Sequence, residues 1–136
     1  MGPNPLRENS PDYIEKALKL GFDVEIDVWH RNGQFYLGHD KPQYKVESSF
    51  LKNRNFWCHA KNLEALDEML KKKIHCFWHQ NDEYTLTSKG IVWAFPGKMT
   101  SSQSICVMPE NFNYTPLKEN YVGVCSDFIE KIRKGI

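Results

Sequence analysis

Apolar and polar positions alternate most strictly between Gly21 and Asp40. Val24, Ile26 and Val28 are interleaved with Asp23, Glu25 and Asp27. Successive strand side chains point to opposite faces. The pattern therefore predicts a strand with Glu25 and Asp27 on one face and the three aliphatics on the other. Arg31-Asn32-Gly33-Gln34 reads as a tight turn, because Asn-Gly readily takes positive φ. Phe35-Tyr36-Leu37 is a second strand, ending at Gly38-His39-Asp40.

Upstream, Ser10-Pro11 begins a helix, with Ser10 as N-cap and Pro11 in the first turn. Tyr13, Ile14, Ala17, Leu18 and Leu20 give it an apolar face, and Gly21 closes it. Residues 41–47 read as a polar connector and residues 48–55 as a short helical turn. Residues 56–61 predict a strand, and Asn62 is an N-cap candidate. Leu63, Leu66, Met69 and Leu70 form a helical stripe, with acids early and Lys71, Lys72 and Lys73 late, as the helix dipole favours. Residues 74–79 predict the next strand. Strand, helix, strand of this length is a βαβ unit with parallel strands. The two strands echo each other, as Phe-Trp-Cys-His and Cys-Phe-Trp-His.

Beyond residue 80 the period changes. Tyr84 to Thr87 and Ile91 to Phe95 read as a hairpin across Ser88-Lys89-Gly90. Ile105 to Met108 and Tyr121 to Cys125 read as short strands, and Phe128, Ile129 and Ile132 as a short terminal helix. Residues 98–104 and 111–120 are too short and polar for full crossover helices.

At 136 residues the chain is sized for a single domain spanning 1–136. The formal net charge of +1 gives no electrostatic case for nucleic acid. A mean hydropathy of −0.60 and the lack of a long apolar run argue against membrane insertion. The N-terminus has no charged-then-apolar leader pattern, and the expected location is the cytoplasm. Cys58, Cys76, Cys106 and Cys125 sit in apolar runs without zinc-site spacing, which reads as reduced, buried thiols. Oligomeric state has no signature in the sequence.

Candidate chemistry begins with Glu25 and Asp27. Two carboxylates side by side repel unless a cation or donors lie between them, and a hard divalent ion uses such oxygens. His39, across the turn, is placed for proton transfer. The competing reading is the wet face of an antiparallel hairpin with His39 at its surface. His79, Asn81 and Asp82 suit either a pocket rim or a turn. Trp93 and Phe95 suit either ligand stacking or a core. Ser126 suits either a ligand hydroxyl or a helix cap. His30 and His75 read as surface or sequestered residues.

One resemblance ties these residues together. Arg7-Glu8-Asn9-Ser10, the helix, Gly21, Glu25-Ile26-Asp27 and His39-Asp40 stand in the order and spacing of the glycerophosphodiester phosphodiesterase family. The chain resembles that family closely over residues 8–40 and diffusely afterwards. The resemblance implies an α/β fold, a reduced TIM-like (β/α) barrel of about seven strands with helices mostly in the first half. It implies metal-dependent hydrolysis of a glycerophosphodiester-like small molecule. Glu25 and Asp27 would hold the metal, Mg or Ca first, and His39 and Lys61 would be catalytic. Glu8 and Asn9 would lie near the substrate, joined on the residue readings above by Trp93 and Ser126. Two departures stand out. The family has an acid where this chain has His59, which either ligates metal, admitting Mn or Zn, or hydrogen-bonds internally. The family's first strand, ending in His-Arg-Gly, has no counterpart before Glu8, so the chain is expected to begin inside a longer parent. A non-catalytic phosphate- or metal-binding module of the same fold is the alternative.

Overall fold

In the computed structural model, which describes residues 2–112 and 118–135, the alternating stretch forms two strands, β1 (Val24–Arg31) and β2 (Gln34–Leu37). They pair antiparallel, with Arg31 opposite Gln34. Asn32 and Gly33 both take positive φ, 51° and 76°, giving the turn whose twist suits paired strands. Ile26 and Val28 are buried in the core cluster, so Glu25 and Asp27 share the other face, as the alternation requires. The chain divides into two compact units, Pro5–His79 and Gln80–Ile136 together with Met1–Asn4.

In the first unit, α1 (Pro11–Lys19) precedes β1. Ser10 has the extended N-cap backbone, but its hydroxyl makes no cap bond and is buried without a hydrogen-bond partner among the described residues. The expected side-chain cap therefore does not form. Gly21, at φ 80°, ends the helix, and the Phe22 N–H closes back onto the Ala17 carbonyl. After β2 come β3 (Tyr44–Val46), α2 (Ser48–Leu51), β4 (Phe56–Ala60), α3 (Leu63–Lys71) and β5 (Cys76–Phe77). The strand β3 lies in what the sequence presents as a polar connector. Only Val46 of its three residues is buried, too little alternation to be seen. The strand β5 is shorter than the apolar run 74–79. Lys73 at φ 55° turns the chain, and the Ile74 N–H is spent closing α3 onto the Met69 carbonyl.

The five strands lie in the order β3-β2-β1-β4-β5. The pairs β1–β4 and β4–β5 are parallel, so the βαβ unit forms. The echo between its strands is not its register, because Cys58 faces Cys76 and His59 faces Phe77. On one face Ile26, Val28, Phe56 and Cys58 pack with Ile14 of α1, Leu51 of α2, and Ala65 and Met69 of α3. Fully burying one such side chain is worth about 1.5–3 kcal/mol, so this face anchors the unit and leaves the other for polar groups.

The second unit carries β6 (Tyr84–Leu86), β7 (Val92–Ala94), β8 (Ser104–Val107), β9 (Gly123–Cys125) and α4 (Ile129–Arg133), with 3₁₀ turns at Pro109–Phe112 and Lys118–Asn120. Its strand order is β6-β7-β8-β9. The expected hairpin forms as antiparallel β6–β7, and β7–β8 and β8–β9 are parallel. Of the stretch 111–120, residues 113–117 lie outside the described residues. The four cysteines are free thiols, with Cys58, Cys76 and Cys106 buried and Cys125 half-buried. No helix among the described residues is long and apolar enough to cross a membrane.

The reduced TIM-like barrel of about seven strands is not what forms. Among the described residues, nine strands make two separate sheets of five and four, and neither closes on itself. A parallel barrel needs a parallel neighbour on each side of every strand. Here β1 takes antiparallel β2 along its second half. The two-residue strand β5 ends the row on the opposite side.

Candidate metal centre

Parallel pairing of β1 with β4 sets Glu25 beside Trp57 and Asp27 beside His59. Paired residues project to the same side of a sheet, so the two acids and the imidazole share the face opposite the core. Asp27 Oδ1 lies 3.2 Å from His59 Nδ1, and Glu25 Oε1 lies 3.8 Å from the same nitrogen. One ligand atom from each of the three falls within 4.8 Å of the others. Lys61, just past the end of β4, brings its Nζ within 3.8 Å of Asp27 Oδ1. His39 Nδ1 is 3.8 Å from Asp27 Oδ2, and its side chain is 55% exposed. His39, His59 and Lys61 thus converge on Asp27, and Glu25 joins the group through His59.

Asn9 explains how Asp27 is held. The Asp27 N–H points away from β4 and donates to Asn9 Oδ1 at 2.8 Å. Asn9 Nδ2 in turn donates to Asp27 Oδ2 at 3.1 Å. Asn9 sits at φ 61°, a left-handed conformation that Asn tolerates better than most residues. Its amide replaces the ladder bond that a neighbouring strand would supply to β1 at this point. Asn9 therefore positions Asp27, a role beyond the substrate contact expected of it. Glu8, next to it, is exposed.

Burial acts to raise the Asp27 pKa. The hydrogen bonds to His59 and Asn9 and the positive charge of Lys61 act against it and prevail, so the carboxyl titrates below the ordinary range. An anion kept charged while mostly buried is the state a metal ligand needs.

The orientation of His59 was not legible in the sequence. Its Nε2 lies 2.8 Å from the His79 carbonyl oxygen. A carbonyl only accepts, so Nε2 carries a proton. The ring stacks on Phe77, with centroids 5.1 Å apart and planes at 2°. His79 and Phe77 thus enter the site as a backbone acceptor and a stacking wall. The signal for Phe77 is the βαβ register, which brings it beside His59. The loop that carries His39 is pinned by Trp29, whose indole N–H donates to the Gly38 carbonyl at 2.7 Å. Only glycine fits there, because a Cβ at position 38 would run into the backbone oxygen of Lys41.

The other candidates make contacts of their own. Trp93 is buried in β7 of the second unit. Ser126, in the same unit, donates to Glu110 Oε1 at 2.8 Å and accepts from the Phe128 N–H. Its hydroxyl is thus occupied in the turn before α4, and it does not cap that helix, whose N-cap is Phe128 without a side-chain cap bond. His30 is clamped through its backbone, whose N–H and carbonyl both bond the Asn62 side chain. His75 is buried against Trp57.

The donor set of two carboxylates and an imidazole nitrogen, gathered on one half-buried sheet face, fits a divalent metal ion. No family model, no curated protein and no solved structure matches the chain.

Proposed function

We propose that this chain is a metal-dependent phosphoric diester hydrolase acting on a glycerophosphodiester-like substrate, the activity that its motif resemblance implies. The observation that carries the reading is the convergence of Glu25, His59, Lys61 and His39 around the Asp27 carboxylate. Glu25, Asp27 and His59 would hold the ion. When bound, it supplies Lewis acidity, polarising phosphoryl oxygens and neutralising developing charge. Lys61 adds fixed positive charge beside the phosphate. His39, the most solvent-open member of the cluster, takes a proton from the attacking oxygen or returns one to the leaving oxygen. Asn9 keeps Asp27 in place while this happens. In the resembled family the substrate's own neighbouring hydroxyl can attack, which removes the need for a protein nucleophile.

The test is release of p-nitrophenol from bis(p-nitrophenyl) phosphate, and of alcohol from a glycerophosphodiester, with added divalent metal and with chelator. Turnover is expected only with metal, and His39→Ala is expected to reduce it by about 100- to 10,000-fold. Turnover in chelator, or an unimpaired His39→Ala, refutes the assignment. A second reading, a non-catalytic phosphate- or metal-binding module, is favoured by one observation. His59 is held between His79 and the acids, leaving His39 as the site's histidine for proton transfer. Metal binding without turnover is the outcome that selects it.

A further inference from the structure

We infer that His59 sets the metal preference of this site, turning it from the hard ions Mg and Ca toward borderline divalent ions such as Mn, Co and Zn. The inference rests on the proposed metal site and deepens it. It does not depend on turnover.

The argument starts from the two ring nitrogens. Nε2 donates to the His79 carbonyl at 2.8 Å, which leaves Nδ1 as the atom facing the acids. Nδ1 meets Asp27 Oδ1 at 3.2 Å and Glu25 Oε1 at 3.8 Å. In the metal-free chain the Asp27 carboxylate accepts a hydrogen bond from this nitrogen, and a metal ion shared with the two carboxylates would stand where that proton stands. The imidazole is also not free to swing away. Its far nitrogen is bonded to backbone, its plane lies flat on Phe77, and its strand is paired on both sides. A ligating histidine whose other N–H donates to a carbonyl is the usual outer-shell arrangement at metal sites, and it raises the basicity of the ligating nitrogen.

Donor chemistry then decides among ions. Ca seeks six to eight oxygens, and Mg holds its waters and prefers oxygen. An imidazole nitrogen adds little for either. For first-row transition ions and Zn it is a stronger donor than for Mg or Ca, with affinity rising from Mn through Co to Cu and falling back at Zn. A site of two carboxylates and one fixed nitrogen therefore separates the two groups of ions.

The test titrates the full chain with Mg, Ca, Mn, Co and Zn, one at a time. It reads the melting temperature, the visible absorption of Co and the broadening of the His59 ring resonances by Mn. Mn, Co and Zn are expected to bind more tightly than Mg or Ca. Stoichiometric Mn is expected to broaden the His59 resonances, and binding is expected to disappear in Asp27→Asn. His59→Glu is expected to lower Zn affinity by roughly 100-fold while retaining or improving Ca binding. Because the broadening is read in the unaltered chain, the result does not hang on that variant folding. Equal or tighter binding of Mg or Ca overturns the inference but leaves the metal site standing, as do unbroadened His59 resonances with Mn bound. Failure of all five ions to bind overturns both, and the His59–Asp27 contact is then a proton-bridged ion pair.

Discussion

The strands β4 in the first unit and β8 in the second are both paired on each side, yet they distribute their side chains differently. In β4 the buried residues Phe56, Cys58 and Ala60 alternate with half-buried Trp57 and His59. In β8 all four residues, Ser104 to Val107, are buried. The first pattern has a helix-covered face that supplies stability and an opposite face with room for polar groups. The second has no such face. Glu25, Asp27, His59 and Lys61 gather in the first unit, and several polar side chains of the second pair with one another. Ser126 bonds Glu110, Lys98 meets Glu83 at 3.1 Å, and Ser101 meets Ser104 at 3.0 Å. A sheet face relieved of packing is free to gather polar side chains.

The largest test of this contrast is in the packing. Phe56 is 1% exposed in the first unit's core, whereas Leu86 of β6 is 65% exposed. Phe56→Ala is expected to cost about 3–5 kcal/mol in urea unfolding. Leu86→Ala should stay within about 0.5 kcal/mol. Similar costs for the two would break the distinction between a packed face and an open one.

A smaller effect compares a side chain that caps a helix with one that braces the turn before a helix. Asn62 accepts from the Ala65 N–H at the start of α3 and also bonds the His30 N–H and carbonyl. Losing these bonds in Asn62→Ala should cost about 2 kcal/mol. Ser126→Ala, near α4, loses the bonds to Glu110 and the Phe128 N–H, and about 1 kcal/mol is expected. Metal affinity should be unchanged in Ser126→Ala, and a loss there would put Ser126 back among the binding residues.

The smallest effect is in pH, and its sign differs between the units. Asp27 titrates below its unfolded value in the metal-free chain. Its contribution is present above the unfolded pKa and is lost as pH falls through the folded one. Asp127, though exposed, titrates above its unfolded value, because of partial desolvation first and the Glu110 charge second. Its ionisation therefore weakens the fold as pH rises from the unfolded toward the folded pKa. Melting temperatures taken from neutral pH downward should show the deficit of Asp27→Asn shrinking with acid. Any advantage of Asp127→Asn should vanish over the same descent. Parallel behaviour of the two variants would contradict the opposite environments of these acids.

Much of the first unit was readable from local pattern. Alternation placed Glu25 and Asp27 on one face, Asn32-Gly33 placed the turn, and the stripe of α3 between two apolar runs placed a parallel pair. The three-residue strand β3 was missed because one buried residue makes no period. The barrel expectation came from motif order rather than from pairing, and motif order is blind to where a sheet stops.

Side-chain direction and turn conformation follow from neighbours a few positions apart, so alternation and Asn-Gly already settle them in the linear chain. The Asn9 amide on Asp27, the His79 carbonyl on His59 and the end of the sheet at β5 join segments far apart in the chain. Those bonds exist only once register and packing bring distant backbone within hydrogen-bonding reach, and no local preference encodes that distance.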